Sequence, residues 1–520
     1  MSSSRASSGD SSCSSVGGAG WGAGALVVLT LLSSCTTRET RPAHPAARAI
    51  LYFSADMKGY LGPCGCSENM RGGISRAAAE LAKARASGVP VFYVDSGDGL
   101  FGAPSIPEDA VGQQERKARA LADAFKAMGL SVRAPGPMDD ARGASFREAL
   151  QLPEVKAGNI RWLTAGAYQV AVISAADVAA AEALASKARG EGAAFTVALV
   201  PQSMDVALRG AISAPNVDLV IASKPKDDFA AENSRVAGGA TKVAQVQNKG
   251  RTLLRVDVSF RDGGRVEWVK GTSERDRELT ALDERIELMR AQVDAPGLGA
   301  ELKALKQAKL EELLARRQAL AEAPLPFPED RTAATFRFVP LEPGLPQDPT
   351  VQAIEAAYDR DVGLLNLAWA KKHGKDCEPP DLDRAGYVGS AACIGCHPFA
   401  GKVWQATKHT HAYASLEEKG KQYHLDCIGC HVTGWKQPGG VCRIDDTDER
   451  REVGCESCHG PGWRHTQMPV KEHIKRAKEP AACTGCHDRE NSPHFDFDSY
   501  VQKVLGPGHG QPMPPDAGSQ

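Results

Sequence analysis

Four copies of one pentapeptide pattern constrain this chain more than anything else in it. Cys393-Ile-Gly-Cys396-His397, Cys427-Ile-Gly-Cys430-His431, Cys455-Glu-Ser-Cys458-His459 and Cys483-Thr-Gly-Cys486-His487 all fall within 95 residues. Two thiols at that spacing share one helical turn and can add to two vinyl groups of a haem, while the adjacent imidazole reaches the iron from one side. Zinc ribbons also use Cys-x-x-Cys knuckles, but they need no histidine directly after each pair. A thioredoxin-like pair belongs at a strand end in a βαβ setting, and this region has little strand pattern. Structural disulfides would hardly recur as four identical short loops. The repeat predicts four covalent c-type haems, with the eight motif cysteines as thioethers and His397, His431, His459 and His487 as proximal iron ligands.

The rest of the composition divides the chain in two. Nine of the fourteen cysteines lie from Cys393 onward and eleven of the thirteen histidines from His397 onward; no histidine lies between Pro45 and Lys372. Seven histidines beyond His397 stand outside the motifs: His409, His411, His424, His465, His473, His494 and His509. Each iron needs a sixth ligand or keeps an open position, and that choice separates electron transfer from small-molecule binding. A net charge of −2 with 24% charged residues leaves no basic footprint for nucleic acid, and none is expected as a partner.

The C-terminal motifs carry a resemblance. Trp404-Gln-Ala-Thr-Lys-His409 with Ser415-Leu416, Cys427-Ile-Gly-Cys-His-Val432-Thr-Gly434 and Val453-Gly-Cys-Glu-Ser-Cys-His-Gly-Pro-Gly462 resemble the tetrahaem cytochrome c-554/552 family. The resemblance implies a mostly helical electron-transfer domain and makes His409 and His465 distal ligands; His411 and His424 are further candidates. It also implies redox partner proteins or quinol-linked donors as partners.

Residues 48–270 read as α/β. Short apolar runs begin at Ile50, Val91, Val170, Val197, Leu219 and Leu254, with alanine-rich helical patterns such as 75–86 and 114–128 between several of them. Ser54-Ala-Asp56-Met-Lys58-Gly59, Val94-Asp-Ser-Gly97-Asp98 and Gly136-Pro-Met-Asp139 resemble the calcineurin-like metallophosphatases, in particular the 5′-nucleotidase group. Paired metals that activate water need several imidazoles and carboxylates. Asp56 and Asp98 fit that family's pattern. Lys58 stands where the first histidine belongs, Pro137-Met138 where Asn-His belongs, and Ala222-Ser-Lys-Pro225 where Gly-His-x-His belongs. The resemblance therefore implies a degenerate phosphatase sandwich serving as scaffold or binding domain. Cys64 and Cys66, in Gly62-Pro-Cys-Gly-Cys-Ser67, read either as a structural disulfide or as functional thiols beside Asp56 and Asp98; Cys377 and Cys442 are unassigned.

Residues 271–325 are charged and leucine-rich. Leu279, Leu282, Ile286 and Met289 fall on one helix face, Leu302, Leu305, Leu310 and Leu313 on another, with Pro296 and Gly297 between, so a helical hairpin is predicted. Residues 326–384 read as a proline-rich connector with one helix over 351–372, and 385–506 as the tetrahaem domain. At the start, an apolar run from Trp21 to Leu32 ends in Leu-Ser-Ser-Cys35, which resembles a lipobox. Residues 1–35 are expected to be a lipoprotein signal peptide with Cys35 lipidated, placing the protein in the periplasm on a bacterial membrane. The alternatives to an electron carrier are a redox enzyme acting on a small nitrogen or sulfur compound at an open haem, and a metal-dependent phosphatase with a haem appendage.

Overall fold

The computed structural model describes residues 44–63, 70–224, 234–261, 264–269, 272–293, 299–323, 327–446, 450–488, 491–492 and 495–513. The signal peptide with Cys35, the Cys64/Cys66 pair and His494 lie outside these residues.

Two six-stranded sheets face one another. The strands are β1 (Ala47–Ser54), β2 (Val91–Asp95), β3 (Leu130–Arg133), β4 (Asn159–Ala165), β5 (Tyr168–Ser174), β6 (Ala193–Val200), β7 (Leu219–Ala222), β8 (Arg235–Ala237), β9 (Lys242–Gln245), β10 (Thr252–Phe260), β11 (Glu267–Trp268) and β12 (Ala333–Pro340). The first sheet runs β11-β12-β10-β1-β2-β3 and the second β4-β5-β6-β7-β9-β8. Side chains alternate along β1: Leu51 and Phe53 enter the core between the sheets, while Ile50 and Tyr52 turn to the outer helices. Both faces are covered, so β1 is nearly continuously apolar.

The outer layer of the first sheet is α1 (Ile74–Arg85), α2 (Val111–Ala127) and, from far along the chain, α8 (Pro349–His373). Between them in sequence come α3 (Ala144–Ala149), α4 (Val178–Gly190), α5 (Met204–Ala211), α6 (Thr272–Val293) and α7 (Ala300–Glu322). α4 and α5 cover the second sheet through Val178, Ala181, Met204 and Ala207. Asp177 caps α4 by accepting from the Ala180 N–H at 2.8 Å, and Asp348 caps α8, with Pro349 in its first turn. The N-terminal region is thus an α/β sandwich, helix–sheet–sheet–helix, and the region beyond α8 is mostly short helices and turns.

Two expectations need correction. The stretch 326–384 is no mere connector: it supplies β12, antiparallel to β10, and α8, which packs along α2. In the hairpin, Leu282, Ile286, Leu310 and Leu313 form the seam, but Leu302 and Leu305 are 49% and 69% exposed. They sit in the first turns of α7.

Candidate functional site

Each motif folds as one turn. His397 and His487 donate their backbone N–H groups to the Cys393 and Cys483 carbonyls, both at 2.9 Å, so cysteines and histidine lie on adjoining faces. Thiols of different motifs meet. Cys393 hydrogen-bonds Cys455 and draws its thiol down to about 7, Cys430 hydrogen-bonds Cys486, and Cys458 lies within electrostatic reach of Cys483.

Three motif imidazoles face an imidazole from elsewhere in the chain. Ring centroids are 6.4 Å apart for His397 and His465, 6.2 Å for His409 and His487, and 6.1 Å for His459 and His509. A metal–imidazole bond of about 2 Å, with each ring nitrogen about 1.1 Å from its centroid, puts two trans ligands of one metal about 6.3 Å apart. The three spacings fit an iron held between each pair. The tautomers of three of these rings fit as well. Nδ1 of His459 donates to the Lys475 carbonyl at 2.9 Å, His465 to Val470 at 2.9 Å and His509 to Val504 at 2.6 Å. A carbonyl only accepts, so Nδ1 carries the proton and Nε2 keeps its lone pair for a metal. Burial lowers the pKa of His409 and His487, holding both in the neutral form that ligates.

His431 is different. Its Nδ1 is anchored on the Ala412 carbonyl at 2.6 Å, yet among the described residues no imidazole faces it. Of the other candidates, His424 is buried against α8, its Nε2 3.3 Å from the Asp359 carbonyl and its ring edge on Tyr358. His411 meets Thr410 Oγ1 at 2.7 Å on the exposed rim. His509 is the site residue that sequence reasoning left among the bystanders. Its local sequence, Gly506-Pro-Gly-His-Gly510, carries no motif that could have singled it out.

The sequence signature around the third motif has a physical role. Glu456 is buried, and its carboxylate accepts the backbone N–H groups of Val388 at 3.0 Å, Gly389 at 2.7 Å and Gly462 at 2.7 Å. It ties the approach to the first motif, the third motif and the Gly-Pro-Gly turn into one joint. A Cβ on Gly454 would come within 2.4 Å of Ser390 Oγ, so a larger residue would displace that hydroxyl. Trp404 Nε1 donates to the Val453 carbonyl at 3.0 Å and the Val453 N–H to the His409 carbonyl at 3.1 Å, which fixes His409 beside the same joint. Cys377 and Cys442 form a disulfide that pins the end of α8 to Val441 and Ile444, part of the apolar cluster holding Ile428 and Val432 of the second motif.

In the sandwich, parallel register sets Ser54 beside Asp95 and Asp95 beside Arg133, gathering the loops with Asp56, Asp98 and Gly136 at one sheet end. Arg133 is fully buried there, its guanidinium 2.7 Å from Asp139 and 3.4 Å from each of Asp95 and Glu154. The Asp139 carboxylate also accepts from the N–H groups of Asp98, Gly99, Leu100 and Gly136. Asp98 Oδ1 accepts from the Met138 N–H at 2.7 Å, and Lys58 Nζ lies 4.0 Å from Asp56. Burial raises the pKa of Asp98 and lifts Asp95 to about 6. Arg133 thus offsets the charge of Asp95, Asp139 and Glu154, while Asp98 is met by the Met138 N–H and Asp56 by Lys58.

Residues 392–460 match the family model described as "Cytochrome c554 and c-prime". No curated protein matches the chain. Among solved structures the chain is similar to the NAD nucleotidase NadN of Haemophilus influenzae, at 13% identity over 42% of this chain and 55% of that one, TM-score 0.33. It is also similar to the sulfate thiohydrolase SoxB of Thermus thermophilus, at 14% identity over 63% and 61%, TM-score 0.39. A 5′-nucleotidase precursor from Thermus thermophilus gives 12% identity over 68% of each chain, TM-score 0.39. The chain spans 55% and 61% of the first two of these proteins. Scores at this level say nothing of substrate or metal. Residues 392–460 carry the sequence signature of the cytochrome c554 and c-prime family, and haem is the cofactor which that match implies.

Proposed function

We propose that the protein is an exported, lipid-anchored electron carrier with four covalent haems, its donors and acceptors being redox proteins or quinol-linked carriers outside the cytoplasmic membrane. The observation that carries this reading is the set of three facing imidazole pairs, 6.1–6.4 Å apart, each containing one motif histidine. Haem bound at these sites supplies reversible one-electron exchange at iron. Two motif cysteines would hold each haem, and the carbonyl-bound Nδ1 atoms of His431, His459, His465 and His509 leave Nε2 of those rings for iron. Cys393 meets Cys455 and Cys430 meets Cys486, so haems held by the first and third motifs, and by the second and fourth, would be neighbours. The α/β sandwich serves as a platform.

A second reading rests on His431, which faces no imidazole among the described residues: the second haem keeps an open position where a small nitrogen or sulfur compound could bind. A haem count with spin-state spectroscopy tests both. Four haems per chain, three low-spin and one high-spin, are expected, and carbon monoxide should bind only the latter. His509→Ala should convert one further haem to high-spin. Fewer than four covalent haems would overturn the main reading; four low-spin haems would overturn the second.

A further inference from the structure

Residues 464–478 carry five Lys or Arg, namely Arg464, Lys471, Lys475, Arg476 and Lys478, against one acid, Glu472, in a chain whose net charge is −2. All five cations are exposed. Among the described residues, Lys471, Lys475, Arg476 and Lys478 have no carboxylate partner. Within the same loop Met468 is 57% exposed and Val470 37%. Hydrogen bonds hold the loop in shape: Met468 N–H donates to Arg464 and His473 N–H to Val470 within it, Lys475 N–H donates to the His459 carbonyl outside it, and His473 Nδ1 donates to the Met468 carbonyl. It is also bonded directly to two imidazoles, through the Val470 carbonyl on His465 and the Lys475 carbonyl on His459.

We propose that this loop is the docking surface for an acidic one-electron carrier protein that delivers electrons to the sites of His397/His465 and His459/His509. The proposal rests on the haem reading given above. Unpaired cations round a small apolar centre give long-range attraction to an acidic patch, and the centre gives a spot that desolvates on contact. In the encounter the reduced partner loses one electron and one ferric iron gains it; no bond forms or breaks and no proton moves.

The test uses full-length haem-loaded protein and two reductants, reduced flavodoxin as an acidic protein probe and hexaammineruthenium(II) as a small cation. The triple variant K471E/R476E/K478E leaves every residue that holds an imidazole in place. At about 10 mM salt its reduction by flavodoxin should be slower by about tenfold or more, and the wild-type rate should fall toward it by about 300 mM salt. Reduction by hexaammineruthenium(II) should not slow. The triple Gln variant should lie between the two. Equal flavodoxin rates in wild type and variant, with haem content unchanged, overturn the proposal, as do equal losses with both reductants. Unchanged flavodoxin kinetics with lost binding to phosphatidylglycerol vesicles would assign the loop to a membrane and likewise overturn it. Absence of covalent haem from the wild type would instead overturn the parent reading, and haem content is measured first to separate the two.

Discussion

Arg133 shows how a single buried side chain can hold a loop cluster together. Three carboxylates converge on it, two of them fully buried, so its removal strands negative charge in a medium that solvates it poorly. Arg133→Met should therefore cost about 3–5 kcal/mol in urea unfolding followed by tryptophan fluorescence; a change under about 1 kcal/mol would mean the carboxylates do not depend on it. Asp95 makes a separate prediction about pH. Burial lifts its carboxyl to about 6 in the folded chain, against about 3.9 unfolded. The folded state then holds the proton more tightly, so stability declines as pH rises from about 4 to about 6 and is level above that. The decline attributable to this group is on the order of 2–3 kcal/mol. Asp95→Asn should flatten it, which a series of melts across that pH range would read directly. Residues of this kind are hard to find from sequence. Asp98 was legible because it sits in a recognisable Gly-Asp turn, whereas nothing around Arg133 announces a buried cation, since its partners come from β2, the turn after β3 and the approach to β4.

Elements differ in legibility for a similar reason. The four Cys-x-x-Cys-His motifs were readable because their residues are contiguous, and His409 was reached through the resemblance carried by its Trp404 run, which the structure braces against Val453. His509 was not, because its partner lies fifty positions earlier, at His459, and only tertiary folding brings the two rings together. Strand β12 was hidden among prolines on both sides, and its pairing with β10 spans the whole hairpin. α8 was expected as a helix but not as part of the sandwich, and its far end is where the disulfide acts. Cys377–Cys442 closes a loop with a sequence separation of 65, so it restricts the unfolded chain strongly. The double Ser variant should lose about 2–4 kcal/mol. It should also loosen the Val441 and Ile444 cluster beside the second motif, so the Soret and carbon monoxide spectra of the second haem should change while those of the other three hold. A variant unfolding at the same urea midpoint would show that the apolar cluster alone suffices.

At the scale of the whole molecule, the haem-bearing region and the sandwich are joined through a buried amide. Gln113, on α2, is fully buried, and its Oε1 accepts both Asn366 Nδ2 of α8 at 2.7 Å and the Leu425 N–H at 3.0 Å, two residues before Cys427. Asn366 Nδ2 also donates to the Tyr423 carbonyl at 2.8 Å, so one hydrogen-bonded node links α2, α8 and the entry to the second motif. Lys117–Asp426 at 2.6 Å and the Lys436–Asp109 pair flank it. Each flanking pair keeps one partner open to water and contributes little. The node is where the joint should fail, because removing the Gln113 acceptor leaves the half-buried Leu425 N–H without this partner and Asn366 Nδ2 with the Tyr423 carbonyl alone, a loss of about 1–3 kcal/mol. In the intact protein, unfolding followed by far-ultraviolet dichroism, which is dominated by the sandwich, should coincide with unfolding followed by the Soret band, as a cooperative unit requires. Gln113→Ala should separate the two curves, with the Soret transition moving to lower urea and the dichroism transition moving less. Lys117→Ala should leave them coincident. Separate curves already in the wild type would mean that the haem region folds and melts alone, and that the sandwich carries it without stabilising it.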